Sequence, residues 1–165
     1  MKVPLKAFSF ITLLLLLFSC TKESFTNSQA ALLIASADTL KFDTVFTSTG
    51  SVSQFVKIIN ENDKGIKIQA VRLAGGSASF FKINVDGVPG PQVNDVDVLS
   101  GDSIYIYVSV RIDPTAADLP FIIRDSIEIS YNGNKKWVQL EAFGQNAHFF
   151  RNKIISTNEI WNNDL

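Results

Sequence analysis

Few side chains in this sequence are placed to do chemistry. His148 is its one histidine and Cys20 its one cysteine. A nucleophilic triad on His148 would need a serine or thiol and an acid brought into line with it, and no recognisable motif supplies them. The plainer reading is a hydrogen-bonded residue at the end of a domain. Asp95, Asp97 and Asp102, with Asp86 one loop earlier, carry oxygens of the kind calcium takes. Their spacing matches no calcium loop, and Asp is at home in turns and on charged strand edges. Paired carboxylates for glycoside hydrolysis need a cleft between them, which outward-facing aspartates on a small β domain do not form. No catalytic residue, metal site or cofactor is therefore expected. Tyr105, Tyr107 and Trp137 read differently. Each falls on the solvent side of an alternating strand, where a ring can stack on a sugar, meet a partner or support the sheet as a cross-strand pair. These three are the candidate ligand or partner surface.

Cys20 belongs to a separate pattern at the N-terminus. Lys2 and Lys6 precede a run from Phe8 to Phe18 that is apolar apart from Ser9 and Thr12. A positive start, an apolar core and a small residue at the cut describe an export signal. The run is about half the ~20 residues that a spanning helix needs, so a transmembrane anchor is not expected. Leu17-Phe18-Ser19-Cys20 resembles the lipobox of bacterial lipoproteins, with Ser where Gly or Ala is more usual. The resemblance implies that residues 1–19 are a signal peptide and that Cys20 is the lipid-attachment residue. A lone cysteine in an exported chain can make no internal disulfide, and acylation accounts for it. Acyl chains contribute about 0.8 kcal/mol per buried methylene, enough together to tether a protein to a bilayer. No Asp follows Cys20 directly, the residue associated with inner-membrane retention in some bacteria, so the expected destination is the outer membrane. Periplasmic and surface-exposed sides both remain open.

The 165 residues carry 15 basic and 16 acidic side chains, and no block of like charge. Lys2 and Lys6 leave with the signal peptide, which tips the remainder further acidic. Nucleic acid is not expected as a partner. Residues 20–165 suffice for one domain with a core. The abundance of Thr, Ser, Asn, Ile, Val and Phe, with scattered Asp and Gly, points to strands and turns.

Strands must position the aromatic candidates, and their pattern is regular. Residues 20–31 read as a lipid-anchored flexible tether. Leu40, Phe42, Thr44 and Phe46 alternate with Thr39, Lys41, Asp43 and Val45 as a half-buried first strand. Val56 and Ile58 face inward in the next, which Asn62-Asp63-Lys64-Gly65 closes. Ile66 and Ile68 share one parity, Val71 and Leu73 the other, which predicts a bulge near Gln69-Ala70. Phe80 to Val85 resumes after Gly75-Gly76, and Asp86 to Pro91 reads as a rigid loop that neither strand nor helix accommodates. Val93 to Leu99 fits an edge strand guarded by Asp95 and Asp97. The strongest alternation runs from Ile104 to Ile112, even positions inward, with Tyr105, Tyr107, Ser109 and Arg111 outward. Ile123 to Tyr131 and Lys136 to Phe143 are joined through Asn132-Gly133, a strong hairpin signal.

Seven or eight strands with turns every 8 to 13 residues predict an all-β, immunoglobulin-like β-sandwich over residues 32–146. With no disulfide, aliphatic and Phe burial must hold it. Residues 147–165 form a tail with His148-Phe149-Phe150, Ile154-Ile155 and Ile160-Trp161. It is too short for a core of its own, so it is expected to fold back on the sandwich or to open a further domain.

Several segments, in order, carry a wider likeness: Phe42-Asp43-Thr44-Val45-Phe46, Arg72-Leu73-Ala74-Gly75-Gly76, Asn84 to Gly90, Gly101-Asp102-Ser103, Arg124-Asp125-Ser126-Ile127 and Ala142 to His148. Over about residues 38–148, together with the lipobox, the chain resembles the N-terminal immunoglobulin-like module of a family of bacterial cell-surface lipoproteins. In longer members a right-handed parallel β-helix follows. These signatures lie in loops and strands, and the family implies no assigned activity. The function expected is a non-enzymatic, lipid-anchored envelope protein, a spacer or interaction module whose partners are the membrane, through its lipid, and an envelope protein or a glycan. Two alternatives stand beside it: a carbohydrate-binding surface lipoprotein using Tyr105, Tyr107 and Trp137, and a truncated form of a larger β-helix-containing protein.

Overall fold

The structure is a computed structural model and describes residues 23–47, 50–112, 121–147 and 149–161. Cys20, His148 and Asp113-Pro114 lie outside the described residues. The strands are β1 (Ile34–Ala35), β2 (Thr39–Phe46), β3 (Gln54–Ile59), β4 (Ile66–Leu73), β5 (Phe81–Val85), β6 (Val88–Pro89), β7 (Gln92–Val98), β8 (Ser103–Val110), β9 (Phe121–Tyr131) and β10 (Asn134–Gln145). They form two five-stranded sheets, ordered β1-β3-β8-β5-β6 and β2-β10-β9-β4-β7. The fold is an all-β, immunoglobulin-like sandwich. Eight strands are five residues or longer, as the alternation predicts, and the remaining two are short edge pieces.

The inward faces pack into one aliphatic core. Val56, Ile58, Ile106, Val108, Ile127, Ile129 and Val138 have no accessible surface, and Phe42 meets Phe81 across the two sheets at 5.8 Å between ring centres. Burying each Val or Ile side chain stabilises the fold by roughly 1.5–3 kcal/mol. All the even positions from Ile104 to Ile112 are buried as expected. The Asn132-Gly133 turn has both residues in the left-handed region, φ 47° and 76°, and sets Tyr131 opposite Asn134. That is the twist a two-residue hairpin turn requires.

The parity slip in β4 is a bulge. Against β9 the register shifts between Ile68 and Ala70, leaving Gln69 as the extra residue. The edge strand β7 changes parity at the same height, where Asp95 adopts φ 54°. Val96 and Val98 therefore face Ile68 and Ile66, while Val93 pairs with Val71.

Three expectations need correction. In β2, Leu40 and Phe42 are buried, but Val45, not Thr44 or Phe46, continues the core. Asp43 is an extra residue against parallel β10, whose Ala142 and Phe143 pair with Phe42 and Thr44, so later side chains change face. Residues 86–91 are not loop throughout. Asp86 and Gly87 (φ 48° and 89°) make a tight turn, the Gly87 N–H donates to Asn84 Oδ1, and Val88–Pro89 pairs with β5. Proline is tolerated there because the outer side of β6 has no strand to donate to.

The third correction concerns the tether. From residue 24 onward it is docked on the sandwich. Gly65 N–H donates to Ser24 O, Thr26 N–H to Gly65 O, Asn132 Nδ2 to Ser28 O and Asn134 Nδ2 to Gln29 O. Phe25 lies over Gly65, where a Cβ would sit 2.8 Å from its ring. Apolar Phe25 and the missing side chain at 65 supply the fit that a merely polar linker lacks.

The tail divides. Phe149 packs edge-on against Phe46 at 5.8 Å. Phe150 and Trp161 meet at 4.7 Å between ring centres with their planes tilted by 35°, and Lys153, which pairs with Glu159, lies over both rings. Ile154 and Ile160 stay 87% and 89% exposed.

Candidate functional site: an aromatic face on one sheet

β8 runs through the middle of the first sheet, with β3 on one side and β5 on the other. Because Ile104, Ile106 and Val108 point into the core, Tyr105, Tyr107 and Ser109 must point out. Register then decides their neighbours. Phe55 is directly opposite Tyr107 and Lys57 opposite Tyr105, while from β5 Asn84 faces Tyr107 and Lys82 faces Ser109.

The three rings form one cluster. Phe55 is 5.4 Å from Tyr105 and 6.0 Å from Tyr107, and the two tyrosines are 5.9 Å apart with planes only 15° from parallel. Phe55 and Tyr107 are 50% and 45% exposed. The Lys57 ammonium sits 4.9 Å from the Tyr105 ring centre, within cation–π range. Beside Tyr107 runs a groove of about 240 Å³, lined by Ser53, Lys82, Asn84, Tyr107 and Ser109 among others. Rings that can stack thus adjoin hydroxyl, amide and ammonium groups that can hydrogen-bond. A second groove of about 360 Å³ is mainly apolar, lined by Leu73, Phe81, Ile83, Pro89 and Pro91 at the sandwich edge.

Trp137 does not join this face. It lies on β10 of the other sheet, 41% exposed. Tyr105 and Tyr107 are brought together and Trp137 is separated from them by the thickness of the sandwich. Phe55 takes the third place. Sequence reading missed it because Phe55 has the outward parity of β3, but which strand lies beside β3 is a matter of topology.

Glu128 was also not singled out. It is on the outward parity of β9, yet its side chain is only 2% exposed, covered by Arg72 and by Lys135 (2.8 Å) with Ser130 donating at 3.1 Å. The Lys135 ammonium, then the Arg72 guanidinium and the Ser130 hydroxyl, outweigh burial and hold its carboxyl down to about 2 from an ordinary 4.5. A carboxylate so firmly ionised and saturated serves as a structural anchor of this sheet face.

The aspartates do not converge. Asp97 pairs with Lys67 at 3.4 Å, Asp102 accepts from the Ser103 N–H, Asp95 shapes the β7 kink, and Asp86 sits in a turn of the other sheet. Among the described residues no group of three or more His, Cys, Asp or Glu gathers as a metal site would require, and no helix is long and apolar enough to cross a membrane.

The sandwich with an open aromatic face is the class these observations define. Neither a protein-family model nor a curated protein matches the sequence. Among solved structures, a protein of unknown function from Porphyromonas gingivalis W83 is similar over 76% of this chain and 50% of its own, with 12% identity and a TM-score of 0.51. A family 123 glycoside hydrolase from Clostridium perfringens matches over 67% of this chain and 23% of its own (11% identity, TM-score 0.49). The ASH / PapD-like domain 7 of human CEP192 matches over 79% and 93% (10%, 0.48). The chain thus spans half or less of the first two proteins. At these identities the likeness is one of fold.

Proposed function

We propose that the chain is a non-enzymatic, lipid-anchored module of a bacterial cell envelope, held to the outer membrane through Cys20, with Phe55, Tyr105 and Tyr107 as its contact surface. The observation that carries this reading is the three-ring cluster. Large aromatic side chains standing together on the outer face of two adjacent strands, β3 and β8, are unusual for a sheet that faces only water. The export signal and lipobox at Leu17–Cys20 support the location. The docked segment from residue 24 onward supports a domain held close to its anchor, since it shortens the free chain between the lipid and the sandwich.

Metabolic palmitate labelling with membrane fractionation tests it. The wild-type chain takes up label and sediments with outer membranes, whereas Cys20→Ala does neither. A wild-type chain that carries no label, or a Cys20→Ala chain that still sediments fully processed, contradicts the reading.

A second reading, the N-terminal module of a larger β-helix-containing surface lipoprotein, draws on the tail. Its exposed Ile154, Ile155 and Ile160 have the character of side chains that cover another apolar surface.

A further inference from the structure

We infer that the ligand of the aromatic face is an acidic polysaccharide. The inference rests on the proposed contact surface and names its ligand class. Charge is the deciding observation. β3, β5 and β8 contain no acidic residue, in a chain that carries 16. The face instead presents Lys57 and Lys82, and Arg111 one residue past β8 on the same outward parity. Among the described residues none of these three forms an ion pair. Lys57 lies over Tyr105, and Lys82 Nζ donates only to the Ser79 carbonyl.

The opposite sheet is built the other way. Lys67, Arg72, Arg124 and Lys135, the cations on the outer face of β4, β9 and β10, each meet a carboxylate: Asp97, Glu128, Glu141 and Glu128 again. On that sheet Lys41, exposed on β2, is the exception without an ion pair among the described residues, whereas on the aromatic sheet all three outward cations lack one.

A chain of uronate rings satisfies both features. The C–H face of a pyranose is apolar with slightly positive hydrogens, and it packs on the negative face of a ring such as Tyr107. The ring carboxylates would meet Lys57, Lys82 and Arg111. Sugar hydroxyls would reach Ser53, Asn84 and Ser109 in the adjoining groove. A neutral glycan leaves the cations unused, and a polyanion without flat apolar faces leaves the rings unused.

Affinity electrophoresis of the full chain in detergent, through gels containing polygalacturonate, alginate, hyaluronate or neutral dextran, tests this. At least one polyuronate retards the protein, dextran does not, and the retardation weakens with added salt as screened charges require. Tyr107→Ala weakens binding at least tenfold, and Lys82→Gln with Arg111→Gln weakens it several-fold, each with an unchanged circular dichroism spectrum. Silence in all three polyuronates overturns the inference. So does equal retardation by dextran, which removes the role of charge, or retardation that survives Tyr107→Ala, which removes the role of the rings. None of these outcomes touches the Cys20-dependent sedimentation that tests the membrane location.

Discussion

The phenolic oxygen of Tyr131 accepts a hydrogen bond from the backbone N–H of Leu33 at 3.1 Å, joining the start of the domain to the end of β9, 98 positions away. Both residues are buried, so the bond forms away from water. It ties the residue just before β1, in the first sheet, to β9 of the second.

Tyr131→Phe keeps the ring and removes only the hydroxyl. The Leu33 N–H is then left buried without a partner, and the expected loss is about 1–3 kcal/mol of stability. Urea unfolding should show a lower midpoint with an unchanged slope. An unaltered midpoint would mean that water reaches Leu33 and that residues 31–35 are not firmly docked.

The acid response of the fold should come in part from Glu128. Its folded value is about 2 against an ordinary 4.5. The unfolded chain therefore binds more protons over that window, and stability rises with pH across it. The contribution is complete above about pH 5 and is lost as pH falls through 4.5 toward 2. Glu128→Gln should lower the melting temperature at pH 7, because Arg72 and Lys135 lose their shared counter-ion. It should also flatten the pH dependence below 4.5. A variant that keeps the wild-type acid slope would assign that slope to another carboxylate.

The layout of the core was legible in the sequence wherever a strand is straight. Ile104 to Ile112 reads as alternation because β8 is central and pleats without interruption, and the slip from Ile68 to Val71 marks a bulge because two parities are each unmistakable. The reading failed where a partner strand imposes the change. Nothing near Asp43 signals an extra residue, since the bulge is created by parallel pairing with Ala142 and Phe143, about a hundred positions later. The same limit governs the candidate site. Tyr105 and Tyr107 share a face by parity alone, but Phe55 in place of Trp137 is a consequence of β3 lying beside β8. Glu128 illustrates it again, because an outward strand position becomes buried only when Arg72 and Lys135 arrive from the strands on either side.

Gly65→Ala should release the N-terminal segment without unfolding the sandwich. The new methyl would sit 2.8 Å from the Phe25 ring, and Phe25, itself partly exposed, is free to move away. The Gly65 bonds to Ser24 and Thr26 would be lost with it. The expected cost is on the order of 1–2 kcal/mol for the two net hydrogen bonds. Limited proteolysis should cut residues 23–30 faster while the core stays intact. Equal cleavage rates in the two proteins would show that the segment is docked by the Asn132 and Asn134 side chains alone.

Asp125 fastens the Gly75-Gly76 loop from beneath. One carboxylate oxygen accepts from the Gly75 and Ser126 N–H groups at 3.0 and 2.7 Å, and the other accepts from the Ser79 hydroxyl. Ser79 Oγ in turn accepts from the Phe81 N–H at 3.1 Å, which fixes where β5 begins and so where Lys82 and Asn84 stand beside Tyr107. Asp125→Ala should therefore cost about 1.5–3 kcal/mol, the range for hydrogen bonds to a charged group. Amide exchange should accelerate at residues 75–82 while β9 and β10 keep their protection. Asp125→Asn retains one accepting oxygen and should recover part of the stability. If exchange in the loop is unchanged in Asp125→Ala, the Ser79 carbonyl and the 3₁₀ turn at Gly76–Ala78 hold the start of β5 without the carboxylate.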